Sequence, residues 1–218
     1  MHELTLVIGT RNYSSWSLRP WLLLRHLGLP FDERLFDLDT PEFAREVPKL
    51  SPSGRVPVLL HGSLRVWESL AICEYASELA GGRGWPEDGA ARARARAVAT
   101  EMHAGFQALR SACPMNTRAL GRRVPMTPAI EADLRRIDAI WSECRRDFAA
   151  AGPWLFGRFS TADAMYAPVV LRVRTYDLPL GEVARGWCTT MLADPHLQDW
   201  LRAAAAESQV VAADEVGT

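Results

Sequence analysis

Near the start of the chain Leu4, Leu6 and Ile8 alternate with Thr5 and Val7, in the period-two pattern of a short strand. A polar cluster from Thr10 to Ser17 follows. The apolar-rich segment Trp21 to Leu27 comes next and closes at Gly28, where a helix commonly ends. Phe31 to Leu38 reads as a second strand, so the opening is a β-α-β unit. After a loop at Ser51-Pro52-Ser53-Gly54, Val56 to Leu60 and Ser63 to Trp67 flank a two-residue His61-Gly62 turn and predict a hairpin. Glu68 and Ser69 then open a helix whose apolar positions Ile72, Tyr75, Ala76 and Leu79 share one face. The order β-α-β-α-β-β-α predicts a mixed four-stranded sheet covered by helices.

Gly81, Gly82, Gly84 and Pro86 end this pattern, and no strand signal follows. Helices are predicted over Ala90 to Arg110, Thr127 to Ala150, Thr161 to Tyr176, Glu182 to Ala193 and Pro195 to Glu207. The reading therefore divides the chain into an α/β domain at 1–81, a linker at 82–88 and an all-α domain at 89–218. Thr127 before Pro128 predicts an N-cap with proline at the first helical position. Ser160-Thr161-Ala162-Asp163 has capping-box form, with Asp in place of Glu. Residues from about Val210 onward are expected to be loosely held.

At 218 residues and 48% hydrophobic, the chain can bury two modest cores. Lys plus Arg number 25 against 26 Asp plus Glu, so the net charge of -1 argues against a nucleic-acid partner. Lys49 is the only lysine, a compositional bias with little chemical meaning. No apolar run approaches the roughly 18 residues that span a bilayer, and Met1 to Gly9 lacks the form of a secretory signal. A cytoplasmic protein without membrane attachment is expected. Cys73, Cys113, Cys144 and Cys188 show no C-x-x-C or metal-ligand spacing, which argues against zinc, a dithiol redox centre and a disulfide framework.

Three segments carry candidate chemistry. Pro20 fits a helix without loss only in its first positions, which places the N-cap near Ser17 and leaves Ser14 and Ser15 just outside. Hydroxyls beside a helix N-terminus either cap it or help to hold an anion such as a thiolate. Pro57 stands at the start of a hairpin strand, where it marks an edge or a bend. Glu68 and Ser69 begin another helix. There they either cap it or bind both charges of an α-amino acid, Glu68 taking the ammonium and Ser69 the carboxylate.

The order of these elements is specific: Ser-x-x-x-x-Arg, then Val-Pro, then Glu-Ser-Leu-Ala-Ile. In this register the chain resembles the glutathione transferases over essentially its full length, most closely the serine-type, zeta-like bacterial members. The resemblance implies a thioredoxin-like first domain that binds glutathione as co-substrate, with no metal, and a helical second domain that shapes the second-substrate site. It matches Ser14 to the serine that hydrogen-bonds the glutathione sulfur, with Ser15, Asn12 and Tyr13 as neighbouring alternatives. It gives Val56, before a cis-Pro57, main-chain bonds to the cysteinyl part, and gives Glu68 and Ser69 the γ-glutamyl end. Arg55, Lys49 and Arg11 are candidates for the glycine carboxylate. Trp16 stands where zeta-like enzymes carry a cysteine, and no cysteine occupies the loop.

Met102, His103, Phe106 and Arg110 share a helical face that either lines the second-substrate pocket or packs in the core; Met115, Asn116, Tyr166, Val169 and Arg172 are further candidates. The implied activity is attack of an activated thiolate on a small apolar electrophile. Glutathione-dependent isomerisation or dehalogenation is an alternative, as is a non-catalytic interaction module of the same fold. A homodimer is implied as well.

Overall fold

Alternating strands and amphipathic helices give way to helices alone in the computed structural model, which describes residues 2–217. The elements are β1 (Leu4–Gly9), α1 (Ser15–Leu27), β2 (Phe31–Phe36), α2 (Pro41–Leu50), β3 (Val58–His61), β4 (Leu64–Trp67) and α3 (Ser69–Leu79), followed by six further helices. These are α4 (Gly89–Ala104), α5 (Gln107–Ala112), α6 (Pro128–Phe148), α7 (Thr161–Tyr176), α8 (Glu182–Leu192) and α9 (Pro195–Ala206). The sheet order is β2-β1-β3-β4. β1 runs parallel to β2 and antiparallel to β3, and the β3–β4 hairpin closes the edge. A mixed four-stranded sheet followed by a helical region is the fold that the patterning predicts, and its thioredoxin-like form is the one that the resemblance implies.

α1 joins the two regions. Its leucines 18, 22, 23 and 24 are fully buried, and the helix packs on α3 of the first region and on α7 and α9 of the second. One hydrophobic cluster therefore runs without a break from Leu6 and Ile8 of the sheet to Trp141 and Trp187 of the helices. The start of α7 is fixed by a reciprocal box. The Ser160 backbone N–H and hydroxyl each donate to Asp163 Oδ2 at 2.9 Å, and the Leu155 N–H donates to Oδ1 at 2.8 Å. Asp163 is completely buried, and burial pushes its carboxyl up to about 6 against these donors.

Four expectations are corrected. The hairpin turn is Gly62-Ser63, because His61 pairs with Leu64 and Gly62 takes the left-handed conformation. α1 begins at Ser15 with Ser14 as its N-cap, so Pro20 is the sixth helical residue and the carbonyl of Trp16 lacks its intrahelical donor. The long helix predicted through Arg110 breaks at Gly105-Phe106: Gly105 is extended and Phe106 is left-handed. A side chain at Gly105 would place its Cβ 2.8 Å from the Glu101 carbonyl oxygen, so this bend needs a glycine. Finally, the described residues after α9, those beyond Val210 included, are not loose. Glu207, Gln209 and Glu215 form a strap across the loop between β1 and α1 by bonding Arg11, Thr10 and Tyr13.

Candidate active site

Where α1 and α3 begin, the chain encloses a cavity of about 230 Å³ lined by Trp16, Ser53, Arg55, Val56, Pro57, Glu68, Ser69 and Arg110. The Val56–Pro57 peptide bond is cis and leads directly into β3. Ser69 is the first residue of α3 and is buried, with its hydroxyl paired to no partner among the described residues. Glu68 is the N-cap, held at a positive φ of 69°, with its side chain about half exposed. Its nearby cation is His103 at 3.9 Å, and His103 is pushed down first by burial and then by the Arg19 charge, which favours the neutral ring. The carboxylate is thus left without a firm counter-charge.

The capping of the helices is uneven in an informative way. Thr40, Asp88, Thr127 and Asp194 each accept a first-turn N–H of α2, α4, α6 and α9, and Ser160 with Asp163 closes α7. α5 and α8 start after Phe106 and Gly181, whose side chains offer no oxygen. Ser14 and Glu68 do carry oxygens, yet neither makes a side-chain cap. The two uncapped helix starts that have capping atoms are the two that meet at this cavity. Each presents free N–H groups and the positive end of a helix dipole.

Ser14 and Ser15 are both buried. The Ser14 hydroxyl donates to Ser17 Oγ at 2.7 Å, and Ser17 Oγ accepts the Gly9 N–H at 3.1 Å. The Ser15 hydroxyl has no partner among the described residues. Asn12 and Tyr13 are committed elsewhere. Asn12 bonds Asn116, Thr117 and the Arg118 N–H, and the Tyr13 hydroxyl donates to Glu215 at 2.7 Å. Glu207 accepts the N–H groups of Arg11 and Asn12 at 3.0 and 3.1 Å, and Thr10 bonds Gln209. The strap thus fixes the loop that delivers the serines.

Of the three basic candidates for a carboxylate, only Arg55 lines the cavity; Lys49 pairs with Glu46, and Arg11 with Glu33 and Glu207. In the helical region His103 reaches the site, 5.3 Å from the Trp16 ring. Met102, Phe106, Met115, Tyr166 and Val169 are buried in the common core, and Asn116 is buried against Asn12. The broken helix delivers a residue that the spacing alone did not distinguish. Arg110 Nη1 donates to the carbonyls of His103 and Gly105 at 3.4 and 3.1 Å, which the break has freed, and this holds the guanidinium at the cavity wall.

Arg19 was only one letter of a motif in the sequence. It is 1% exposed, and its Nε and Nη1 have no acceptor among the described residues. Its guanidinium carbon lies 4.0 Å from the centre of the Trp16 ring, and that of Arg110 lies 4.6 Å from the same ring. Burial, then Arg172 and Arg110, hold the Arg19 group well below the usual guanidinium range. Arg172 is buried too, but its N–H groups meet the carbonyls of Cys113 and Pro168. Among the described residues no three acidic, histidine or cysteine side chains gather as metal ligands, and no helix is long and apolar enough to cross a membrane.

Residues 13–79 match the family model for the glutathione S-transferase N-terminal domain, and residues 127–203 match that for the C-terminal domain. A dichloromethane dehalogenase of Methylorubrum extorquens is 38% identical over 60 residues, 27% of this chain and 21% of that protein. Protein IN2-1 of Zea mays is 28% identical over 168 residues, 75% of this chain and 63% of that protein. The matched segments therefore span less than two thirds of these relatives. Among solved structures, a Burkholderia glutathione transferase homolog with bound glutathione superposes with a TM-score of 0.70 at 23% identity, covering 94% of this chain and 99% of that one.

Proposed function

Because the chain belongs to the glutathione S-transferase family, we propose that it is a glutathione transferase that binds glutathione in the cavity between α1 and α3 and activates its thiol. The observation that carries this reading is the pair of helix starts, α1 and α3, whose N-cap oxygens are withheld from capping. Glutathione brings two groups suited to them. Its γ-glutamyl carboxylate goes to the Ser69 hydroxyl and the free N–H groups of α3, and its ammonium goes to Glu68. The Val56 main chain meets the cysteinyl part beside Pro57, and Arg55 meets the glycine carboxylate. The sulfur lies at the start of α1, with Ser14 as the hydroxyl donor and Ser15 beside it.

A thiol titrates near 8.5, so at neutral pH little of it is ionised. Lowering that value by about two units takes roughly 2.7 kcal/mol of preference for the anion, within reach of one hydroxyl donor together with the dipole of α1. The thiolate sulfur then attacks the electrophilic carbon of a small second substrate brought to the Trp16 and His103 side. The dehalogenase relative supports a second reading, in which that carbon bears a halide that leaves. The reading also includes a cytoplasmic detoxifying role, a first domain at 1–81 joined through 82–88 to a second at 89–218, and a serine-type, zeta-like ancestry. A two-fold dimer would cover the exposed Leu64, Trp67 and Leu79.

Titration calorimetry with glutathione tests the site. Binding by the parent, weakened tenfold or more in Ser69→Ala, is expected. No binding by the parent would overturn the proposal in favour of an interaction module that keeps only the fold. Sedimentation equilibrium at micromolar concentration tests the dimer.

A further inference from the structure

We propose that Arg19 and Arg110, whose guanidinium groups both lie over the indole of Trp16, form an anion subsite, and that the second substrate is a small carboxylic acid rather than an uncharged electrophile. This rests on the glutathione reading above and narrows it. The geometry comes first. Two guanidinium carbons lie within 4.6 Å of one ring centre, and that ring and Arg110 both belong to the cavity wall. Arg19 is buried, with two N–H-bearing atoms lacking any acceptor among the described residues. A buried guanidinium without a partner is among the most unfavourable arrangements a fold can hold, and it persists where an anion completes it.

Among the described residues the surroundings supply no such anion. The groups whose ionisation would favour the Arg19 charge are Cys73 and Tyr166, and burial pushes both far above neutral pH. Arg172 adds like charge. Glu68, the acid at the cavity, faces His103 and is assigned to the ammonium of glutathione. Arg172 already meets two carbonyls, whereas Nε and Nη1 of Arg19 meet no acceptor among the described residues, and the ring that Arg19 shares with Arg110 is that of Trp16. A carboxylate on the electrophile would receive a guanidinium fork there while its reactive carbon faces the sulfur. The Trp16 ring would then cover the apolar part of the molecule.

The thiolate of glutathione is the other anion that could meet these arginines, and conjugates with a blocked sulfur separate the two sources. Calorimetry would compare S-(carboxymethyl)glutathione with its neutral amide, S-(carbamoylmethyl)glutathione, and S-(4-carboxybenzyl)glutathione with its 4-carbamoyl analogue. In at least one pair the parent should bind the acid tenfold or more tighter than the amide. That ratio should fall towards one in Arg110→Met and in Arg19→Met, each variant being referred to its own amide affinity. If burial makes Arg19→Met unfoldable, Arg110→Met alone decides. Ratios near one in both parent pairs would overturn the proposal. They would do so in favour of the thiolate if Arg19→Met also raises the pKa of bound glutathione. A parent that binds neither acid nor amide would overturn the glutathione reading itself, which is a different failure.

Discussion

Glu68 sits at φ 69° and ψ 124°, a conformation that favours glycine, at the edge of the cavity. A non-glycine residue there stores about 1–3 kcal/mol of backbone strain, so the carboxylate has been kept at the expense of stability. Glu68→Gly should therefore raise the unfolding midpoint while weakening glutathione binding tenfold or more, measured by denaturation and calorimetry on the same sample. A fall in both would show that Glu68 supports the fold rather than the ligand. Ser14 offers the complementary case, because its single proton goes to Ser17 when no sulfur competes for it. Ser14→Ala should raise the pKa of bound glutathione towards its free value and slow conjugation about 10- to 100-fold, with Ser15→Ala milder. Thiolate absorbance against pH decides; a shift confined to Ser15→Ala would transfer the role to the free hydroxyl. The residues of this half of the site were legible because each opens a helix or a strand, and such positions have a residue code. Arg19 was not, because its meaning lies in the lack of any acceptor for its Nε and Nη1 among the described residues, which no local pattern records.

Among the elements, those with a chemical stop or start were read closely and those without were not. The box of Ser160 and Asp163 placed the first residue of α7 at Thr161, as found. The break between α4 and α5 was invisible, since a lone glycine is tolerated in a helical pattern and Phe106 keeps the apolar spacing across it. The α7 box also sets a pH dependence. Asp163 is raised from the ordinary 3.8 to about 6 by burial, so between these values the folded protein holds a proton that the unfolded chain has released. Its contribution to stability is therefore fully present below about 4 and is lost as pH rises through about 6. Urea unfolding at a series of pH values should show this slope, and Asp163→Asn should flatten it. An unchanged slope in that variant would assign it to another group.

For the whole molecule the single core matters most, because α1 carries the site and is gripped by both regions. The sequence divided the chain by the loss of strand signal, but it had no means of showing that the residues after α9 return to the β1–α1 loop. Their composition is that of an ordinary tail, and the contacts are polar ones made by Glu207 with Asn12, Gln209 with Thr10 and Glu215 with Tyr13. Glu207→Gln replaces one acceptor of the loop N–H groups by a donor. It should lower stability by about 1–3 kcal/mol and accelerate amide exchange across Arg11 and Asn12. Protection unchanged there would mean that Thr10 and Arg118 suffice to hold the loop.

The strap also orders events in time. Its bonds to the loop between β1 and α1 join residues 195 to 202 positions apart, among the longest loop closures the chain makes, whereas helices α4 to α9 form from near neighbours. During refolding the helical signal should return first and capacity for glutathione later, as the last residues of the chain lock the first catalytic loop. A protein caught between these moments would look native to circular dichroism and still be inert.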